Sequence, residues 1–270
     1  MAVSPPNPTG MGPDRIRLGD LRFDALPQRE VVDAVRKAWA GGDGGTIIPV
    51  NVDVALAASR DPALARLVDR GSLVVADGMP LAWAARVAGL GLSERVAGSC
   101  LITALSEAAA ADGKSLYLLG GAEGVPGKAA EELVARFPTL RIAGTQSPAF
   151  GFDATEEGTR QAVSAVVAAA PDLVFVGLGF PRQERLIERL RAELPGAWFL
   201  ACGGGIAMAA GIVPRASPVL QRLGLEWVHR LALEPRRLAR RYLWDDLPFA
   251  LALLARSLAH RLRRGRPHGR

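Results

Sequence analysis

The chain has 270 residues, 49% of them hydrophobic and 22% charged, which argues against a disordered or low-complexity protein. Its two cysteines, Cys100 and Cys202, are far apart and show no paired spacing, so neither a disulfide framework nor a zinc site is indicated. The net charge of +6 is unevenly spread: from Arg215 onward there are 13 Arg against four acidic residues, and the rest of the chain is slightly acidic. A basic C-terminal segment on a near-neutral body indicates an anionic partner, which can be phospholipid, a diphosphate or nucleic acid.

The first 15 residues are predicted to be a flexible segment. They are rich in Pro and Gly and lack the apolar stretch of a secretory signal. The longest apolar run near the C-terminus, residues 249–255, is far shorter than the ~20 residues that a membrane-spanning helix needs. We therefore expect a cytoplasmic protein that is at most peripheral on the inner face of the cell membrane.

Six short apolar runs alternate with helical patterns between residues 16 and 217. Strands that are buried on both faces have continuous apolar sequences, and the intervening helices supply the crossovers between parallel strands. The pattern predicts an α/β catalytic domain with a doubly wound, mainly parallel, Rossmann-like sheet. The predicted strands are residues 46–50, 73–76, 115–119, 141–144, 173–176 and 198–202.

From about residue 218 to residue 270 the pattern changes to amphipathic helices alone. We predict a basic helical appendage, which either packs on the body or lies in a membrane interface. Its Arg and Trp content slightly favours the membrane interface.

Polar residues and glycines follow the predicted strands repeatedly, as at Asn51, Asp77 and Gly120-Gly121. Open parallel sheets bind ligands at the carboxyl ends of their strands, so the functional site is predicted at this edge.

The glycine-rich loop at residues 120–124 lies between a strand and a helix, where backbone N–H groups can hold a diphosphate. A dinucleotide-binding unit also needs an acidic residue at the end of the next strand, which instead ends at Thr145-Gln146. NAD binding is therefore disfavoured. No Asp-x-Asp occurs to anchor a metal-bound diphosphate, so arginines would have to neutralise a nucleotide leaving group.

An ordered set of short motifs runs from Asn51 to Tyr242. The motifs are Asn51, Ala76-Asp77-Gly78, Glu94-Arg95-Val96-Ala97-Gly98, Leu118-Leu119-Gly120-Gly121, Gly179-Phe180-Pro181-Arg182-Gln183-Glu184, Gly203-Gly204-Gly205, Arg215-Ala216-Ser217-Pro218, and the segment from Gly224 to Tyr242. In this order they resemble the WecG/TagA/CpsF family of glycosyltransferases. The most specific of them are the Pro-basic-Gln-Glu motif and the Glu-Trp motif, which is followed by Arg and by Glu-Pro-x-Arg.

The resemblance implies an inverting transfer of an N-acetylmannosamine-type sugar from a UDP-sugar donor to a polyprenyl-diphosphate-linked acceptor. It implies no metal or other cofactor, an anionic membrane surface as a partner, and no nucleic acid; a homo-oligomer is left open. Asp77 corresponds to the aspartate proposed as general base in the family, and inversion in one displacement needs such a carboxylate. The alternative for Asp77 is a turn or cap residue before Gly78.

Arg95 and Gln183 match family positions associated with the sugar-nucleotide pocket. Their alternatives are an ion pair of Arg95 with Glu94 or another neighbouring acid, and a hydrogen bond of Gln183 at a helix start. Asn51 either bonds the donor or stabilises its own turn.

Arg230, Arg237 and Arg240 match C-terminal arginines of the family that are thought to reach the diphosphate, a role that suits the planar guanidinium. Their alternative is a solvated or lipid-facing basic surface, to which we assign Arg236 and Arg241.

The chain departs from the family pattern at Pro49, where Thr is common, and at Cys100, where Asp is frequent. These departures leave the exact sugar open. Two other functions stay open from the sequence alone: a nucleotide-sugar oxidoreductase or epimerase, and a non-enzymatic basic module that binds membrane or nucleic acid.

Overall fold

The structure of the protein, a computed structural model, describes residues 15–92, 94–214, 216–217, 220 and 225–264, without the side chains of Arg237 and Arg264. Apart from Arg15, the predicted flexible N-terminal segment therefore lies outside the described residues. The same is true of Arg215 and of residues 265–270.

Six strands form the central sheet, in the spatial order β4-β3-β8-β7-β5-β6. Every neighbouring pair is parallel, which confirms the predicted doubly wound, Rossmann-like α/β fold. The chain moves outward from β3 to β4, crosses to β5 and β6 on the far side, and returns through β7 to β8. The strands are β3 Gly45–Val50, β4 Leu73–Ala76, β5 Ser115–Gly120, β6 Arg141–Gln146, β7 Leu173–Gly177 and β8 Trp198–Ala201.

Alternate residues of each strand pack on opposite faces of the sheet. Leu173 and Phe175 belong to a core with α1, α5, α6 and α9, whereas Val174 and Val176 pack with α7 and α8 on the other face. Helices α2, α3 and α4 cover the rest of that second face. These helices are α1 Gln28–Gly41, α2 Val52–Arg60, α3 Pro62–Asp69, α4 Met79–Val87, α5 Gly98–Ala111, α6 Val125–Arg136, α7 Glu156–Ala169, α8 Arg182–Glu193 and α9 Gly205–Ala209.

An antiparallel hairpin of β1 (Ile16–Leu18) and β2 (Leu21–Phe23) precedes the sheet and was not predicted, because each strand has only three residues. The buried Asp24 attaches it to the sheet. Its carboxylate accepts hydrogen bonds from the Val74 N–H at 2.7 Å and from Arg15 Nε at 3.1 Å.

The C-terminal region contains α10 Glu226–Leu233, α11 Pro235–Arg240, a π-helical turn over Arg241–Asp246, and α12 Leu247–Arg264. Helix α12 packs along α4: Leu253 is buried in one cluster with Leu81 and Ala85, and Arg261 Nη1 donates to the Val87 carbonyl at 3.5 Å. The last helix thus shares a core with the body, and the division into a catalytic domain and an appendage stays a prediction. In the part of the chain that the structure describes, no helix is long and apolar enough to cross a membrane.

Candidate active site

A cavity of about 520 Å³ opens at the carboxyl edge of the sheet, against the C-terminal helices. The residues that follow β3, β4, β7 and β8 form its floor, as expected for a ligand site in an open parallel sheet. The first turns of α2 and α4 and parts of the C-terminal helices form its walls. Its polar side chains are Asn51, Asp53, Asp77, Arg95, Ser99, Gln183, Glu226, Arg230, Arg241, Tyr242 and Asp246.

Asp77 is the residue directly after β4. Its backbone N–H donates to the Val50 carbonyl at 2.7 Å, which holds the end of β4 beside β3. Its Oδ2 accepts a hydrogen bond of 3.0 Å from the N–H of Gly98, the first residue of α5. Burial raises the pKa of Asp77 above its ordinary value, against the opposing effects of the Gly98 hydrogen bond and the Arg95 charge. A carboxylate that is fixed in a cavity and has a raised pKa is suited to accept a proton.

Arg95 forms an ion pair with Glu226 of α10, with 2.6 Å between Nη1 and Oε2. The two side chains are only 14% and 16% exposed. The alternative partner considered from the sequence, Glu94, instead accepts a hydrogen bond from the backbone N–H of Gln28. The ion pair therefore attaches the segment before α5 to the C-terminal helices, beside Asp77.

Gln183 is buried at the start of α8 and links two loops. Its Oε1 accepts hydrogen bonds from the N–H groups of Gly179 and Gly203, both at 3.1 Å, and its Nε2 donates to Glu184 at 2.9 Å. The bond from Gly179 is the helix-start hydrogen bond that was the alternative for Gln183. The side chain thus fixes the loops that follow β7 and β8, while it also lines the cavity.

Glu184 lies under the same loops and is buried, outside the cavity lining. Burial raises its pKa to about 7. Its Oε2 has no hydrogen-bond partner among the residues that the structure describes. Near neutral pH this carboxyl group is therefore divided between its charged and neutral forms.

Asn51 is the N-cap of α2, where its Oδ1 accepts a hydrogen bond of 3.0 Å from the N–H of Val54. The turn-stabilising role considered from the sequence is therefore present. Asn51 also lines the cavity, so a contact with a ligand remains a prediction.

Arg230 extends from α10 to the glycine turn after β8. A Cβ atom at Gly204 would lie 3.3 Å from Arg230 Nη2, so glycine leaves room for the guanidinium. The Nε atom of Arg230 is buried and has no hydrogen-bond partner within the described part of the chain. A half-buried guanidinium with an unused donor is suited to binding an anion.

Arg241 also lines the cavity, although the sequence assigned it to the solvated or lipid-facing surface. Its Nη1 lies 3.5 Å from Asp53, and its Nε lies 3.9 Å from Asp246. Burial raises the pKa of Asp246 to about 6, and the neighbouring Asp53 carboxylate adds to the rise. The three side chains form a polar cluster that joins α2 to the π-helical turn.

Three of the predicted site residues whose side chains the structure describes, Gly120, Gly121 and Arg240, are not among those that line the cavity. Gly120 ends β5 at the same edge of the sheet, and Gly121 follows it. At Gly120, φ is +112° and a Cβ atom would lie 2.6 Å from the Gly177 carbonyl oxygen, so close strand packing explains the glycine. Arg240 is exposed on α11, and the side chain of Arg237 lies outside the described residues.

Sequence reasoning missed Asp53, Glu226, Arg241 and Asp246 as cavity residues. Glu226 was quoted within the Glu-Trp motif, and its position there was the available signal. Asp53 lies two residues after Asn51, in the first turn of α2. It could have been found by including the residues slightly further beyond the end of each predicted strand. Arg241 and Asp246 carried no signal, since α-helical spacing does not place them on one face.

The electrostatics of the cavity come from helix termini as well as side chains. Helices α2, α4, α5 and α8 begin at this edge, and helix N-termini favour negative charge. Three arginines and four acidic side chains line the walls. In the part of the chain that the structure describes, no group of three or more His, Cys, Asp or Glu residues is arranged to hold a metal ion.

A carboxyl group with a raised pKa lies beside guanidinium groups at the carboxyl edge of a doubly wound sheet, which is where Rossmann-like enzymes have their active sites. The chain is 29% identical over 197 residues to an N-acetylglucosaminyldiphosphoundecaprenol N-acetyl-beta-D-mannosaminyltransferase of Bacillus spizizenii, covering 73% of this chain and 74% of that protein. It is also 29% identical over 197 residues to the Bacillus subtilis protein of the same name, covering 73% and 75%. The model of the Glycosyl transferase WecG/TagA/CpsF family matches residues 16–263. The chain belongs to this family and is a glycosyltransferase, as the motifs predict.

Family membership decides among the three functions considered from the sequence. The oxidoreductase or epimerase and the non-enzymatic basic module are both replaced by the transferase. The family match also extends over the basic C-terminal helices, up to residue 263.

Proposed function

We propose that this glycosyltransferase moves an N-acetylmannosamine-type sugar from a UDP donor to a polyprenyl-diphosphate-linked sugar, with Asp77 as the general base. The observation that carries the proposal is the position of Asp77. Its carboxylate is oriented by the Gly98 N–H, has a raised pKa, and lies in a cavity with Arg95 and Arg230.

The proposed reaction is a single displacement with inversion. An acceptor hydroxyl oxygen forms a bond to the anomeric carbon while the bond from that carbon to the UDP oxygen breaks. Asp77 takes the hydroxyl proton, and UDP leaves with the electron pair of the broken bond. A raised pKa makes the carboxylate a stronger base, which favours the proton transfer.

Arginines are proposed to stabilise the departing diphosphate without a metal ion. Arg230 offers a buried donor beside the glycine turn after β8, and the N-termini of several helices point to the same edge. Such preorganised donors stabilise charge that develops in the transition state. Arg237 and Arg240 are kept as further candidates for contact with a diphosphate.

The sugar and the acceptor are inferred from the relatives. Their names specify an N-acetyl-beta-D-mannosaminyl group and N-acetylglucosaminyldiphosphoundecaprenol. We take the same classes for this chain, in the synthesis of a cell-surface polysaccharide or teichoic-acid-type polymer. Pro49 and Cys100 keep the exact donor sugar open.

Attachment to the inner face of the cell membrane is proposed from the surface of the C-terminal helices. Leu251, Leu258 and Leu262 form an exposed stripe along α12, and Trp244 is 72% exposed on the π-helical turn. The basic residues of the segment would meet anionic lipid while the apolar stripe enters the interface. The acceptor is held in the same membrane by its polyprenyl chain.

A screen of UDP-sugars for UDP release tests the proposed function. We expect release with UDP-N-acetylmannosamine or a close relative only when a polyprenyl-diphosphate sugar is present. We also expect the activity to persist in EDTA. A requirement for added Mg²⁺ or Mn²⁺ would contradict the metal-free mechanism. If no UDP-sugar gave a glycosylated product that depends on the acceptor, the proposed transfer would be contradicted.

A further inference from the structure

One half of the active-site cavity is apolar. This half lies between α4 and α12, two helices that pack against each other. We call it the α4–α12 groove, and it is lined by Met79, Pro80 and Trp83 of α4 and by Leu247, Ala250, Leu251 and Leu254 of α12.

The spacing of these residues places them on one face of each helix. Residues 247, 250, 251 and 254 follow the i, i+3, i+4, i+7 pattern of a single apolar stripe. The seven-residue step from Leu247 to Leu254 covers about 10 Å along the helix axis. Helix α4 begins two residues after Asp77, so the groove starts beside the proposed base.

The outer end of the groove is continuous with the exposed surface of α12. Leu251 lines the cavity and is also 57% exposed. Leu258, one heptad further along, is 50% exposed and lies outside the cavity lining. The groove therefore connects the Asp77 region with the stripe that we propose meets the membrane.

The inner end of the groove is polar. Arg241 lies there between Asp53 and Asp246, next to Leu247 in the wall of the same cavity. A ligand that fits both ends has a polar head group with a continuous hydrocarbon tail. Among the substrates of the proposed reaction, only the lipid-linked acceptor has that form.

We infer that the α4–α12 groove binds the first isoprene units of the acceptor's polyprenyl chain. This inference rests on the proposed function, because the acceptor's chemistry comes from it. The groove would guide the chain from the membrane stripe to the cavity, so that the acceptor sugar reaches Asp77. It would also distinguish a polyprenyl acceptor from a soluble one.

The first test compares two acceptors in detergent micelles, which carry the same sugar diphosphate on either a polyprenyl chain or a short alkyl chain. The measured quantity is the kcat/KM for the long-chain acceptor divided by the kcat/KM for the short-chain acceptor. We expect Leu251→Ser to lower this ratio about tenfold, because roughly half of a leucine's apolar contact with the chain is lost. Leu258→Ser is the matched control, from the same stripe but outside the groove, and should leave the ratio unchanged. Equal ratios in both variants and the unmodified chain would overturn the inference.

The second test does not depend on turnover. A photoreactive benzophenone placed in the first isoprene units of a polyprenyl-diphosphate sugar should label peptides from Met79–Val87 and from the first half of α12. Excess unlabelled polyprenyl phosphate should suppress the labelling, and phosphatidylglycerol vesicles should not. Labelling confined to residues 258–264, or equal suppression by the phospholipid, would show that the tail only meets a general lipid surface.

The two tests separate this inference from the proposed function. Labelling of the groove in a protein that transfers no sugar would support the lipid-binding groove and contradict the proposed reaction. Acceptor-dependent transfer with no groove labelling and an unchanged ratio would do the reverse.

Discussion

Asp77 combines a fixed orientation with a partly desolvated environment. The Gly98 N–H at 3.0 Å holds one carboxylate oxygen of Asp77, which lines the cavity. Burial makes the charged form less favourable and therefore raises the pKa, while the Arg95 and Arg230 charges prevent a larger rise. The Asp77 carboxylate is thus more basic than that of an exposed aspartate.

Asp77→Asn should lower kcat by roughly 10²-fold or more, because the amide cannot accept the proton. Binding of UDP, measured by calorimetry, should stay close to that of the unmodified protein. In the unmodified protein, activity should fall as the pH drops through the pKa of Asp77, and the raised pKa places this loss at a higher pH than for an ordinary aspartate. The control is Asp33→Asn, at an exposed position on α1. Near-normal turnover of Asp77→Asn would exclude the role of general base.

At the scale of secondary-structure elements, the site is assembled from two parts of the chain that are distant in sequence. The segment before α5 supplies Arg95, and α10 supplies Glu226, its partner at 2.6 Å. Both side chains are mostly buried, so their attraction is less screened by water than that of a surface pair. The ion pair therefore holds α10, with Arg230, over the cavity.

Glu226→Gln should reduce the free energy of unfolding by about 1–3 kcal/mol, since it leaves the charge of Arg95 partly buried without its partner. It should also lower kcat/KM, because α10 and Arg230 lose their attachment. Glu156→Gln is the matched control, as it removes an exposed ion pair with Arg189 and should change the free energy of unfolding much less. Urea unfolding and steady-state kinetics measure both effects, and equal losses in the two variants would refute the special role of the Arg95–Glu226 pair.

The strands could be predicted from the sequence to within two residues at either end, because each is a short apolar run buried on both faces. Asp77 and Asn51 were placed correctly at the sheet edge for the same reason. The spatial order of the strands could not be predicted, since no local pattern indicates that β8 lies between β3 and β7.

The π-helical turn explains why the C-terminal wall of the cavity was harder to predict. Its hydrogen bonds reach one residue further than those of an α-helix, so residues five apart share a face. Arg241 and Asp246 therefore both line the cavity, and Trp244 faces outward. α-Helical periodicity places these two residues on different faces, so it gives no indication that they line the same cavity.

At the scale of the whole molecule, charge and apolar surface are concentrated in one region. The C-terminal segment carries the excess of arginine, and α12 exposes a leucine stripe that ends at Leu262. The opposite face of the same helix is buried through Leu253 against α4. Helix α12 is thus in contact with the body on one side and exposes leucine side chains on the other.

Deletion of residues 261–270 removes five arginines and should weaken sedimentation with anionic liposomes, since each basic residue near such a surface contributes about 1 kcal/mol. Activity on a water-soluble acceptor should be retained. Vesicles of zwitterionic lipid serve as the control, because they lack the surface charge and should show little difference between the two proteins. Unchanged binding to anionic liposomes at moderate salt would mean that the terminal basic residues are not the anchor.

The position of β8 in the sheet has a consequence for synthesis of the protein. This strand lies between β3 and β7 but is the last of the six to leave the ribosome. The β3–β4 pair and the β5–β6–β7 group can each form on the nascent chain, yet neither can join the other until residues 198–201 have emerged. Because Glu226 and Arg230 follow later still, we expect the nascent chain to hold two half-sheets with exposed edges until β8 has emerged, and the cavity to be completed only after α10 has followed.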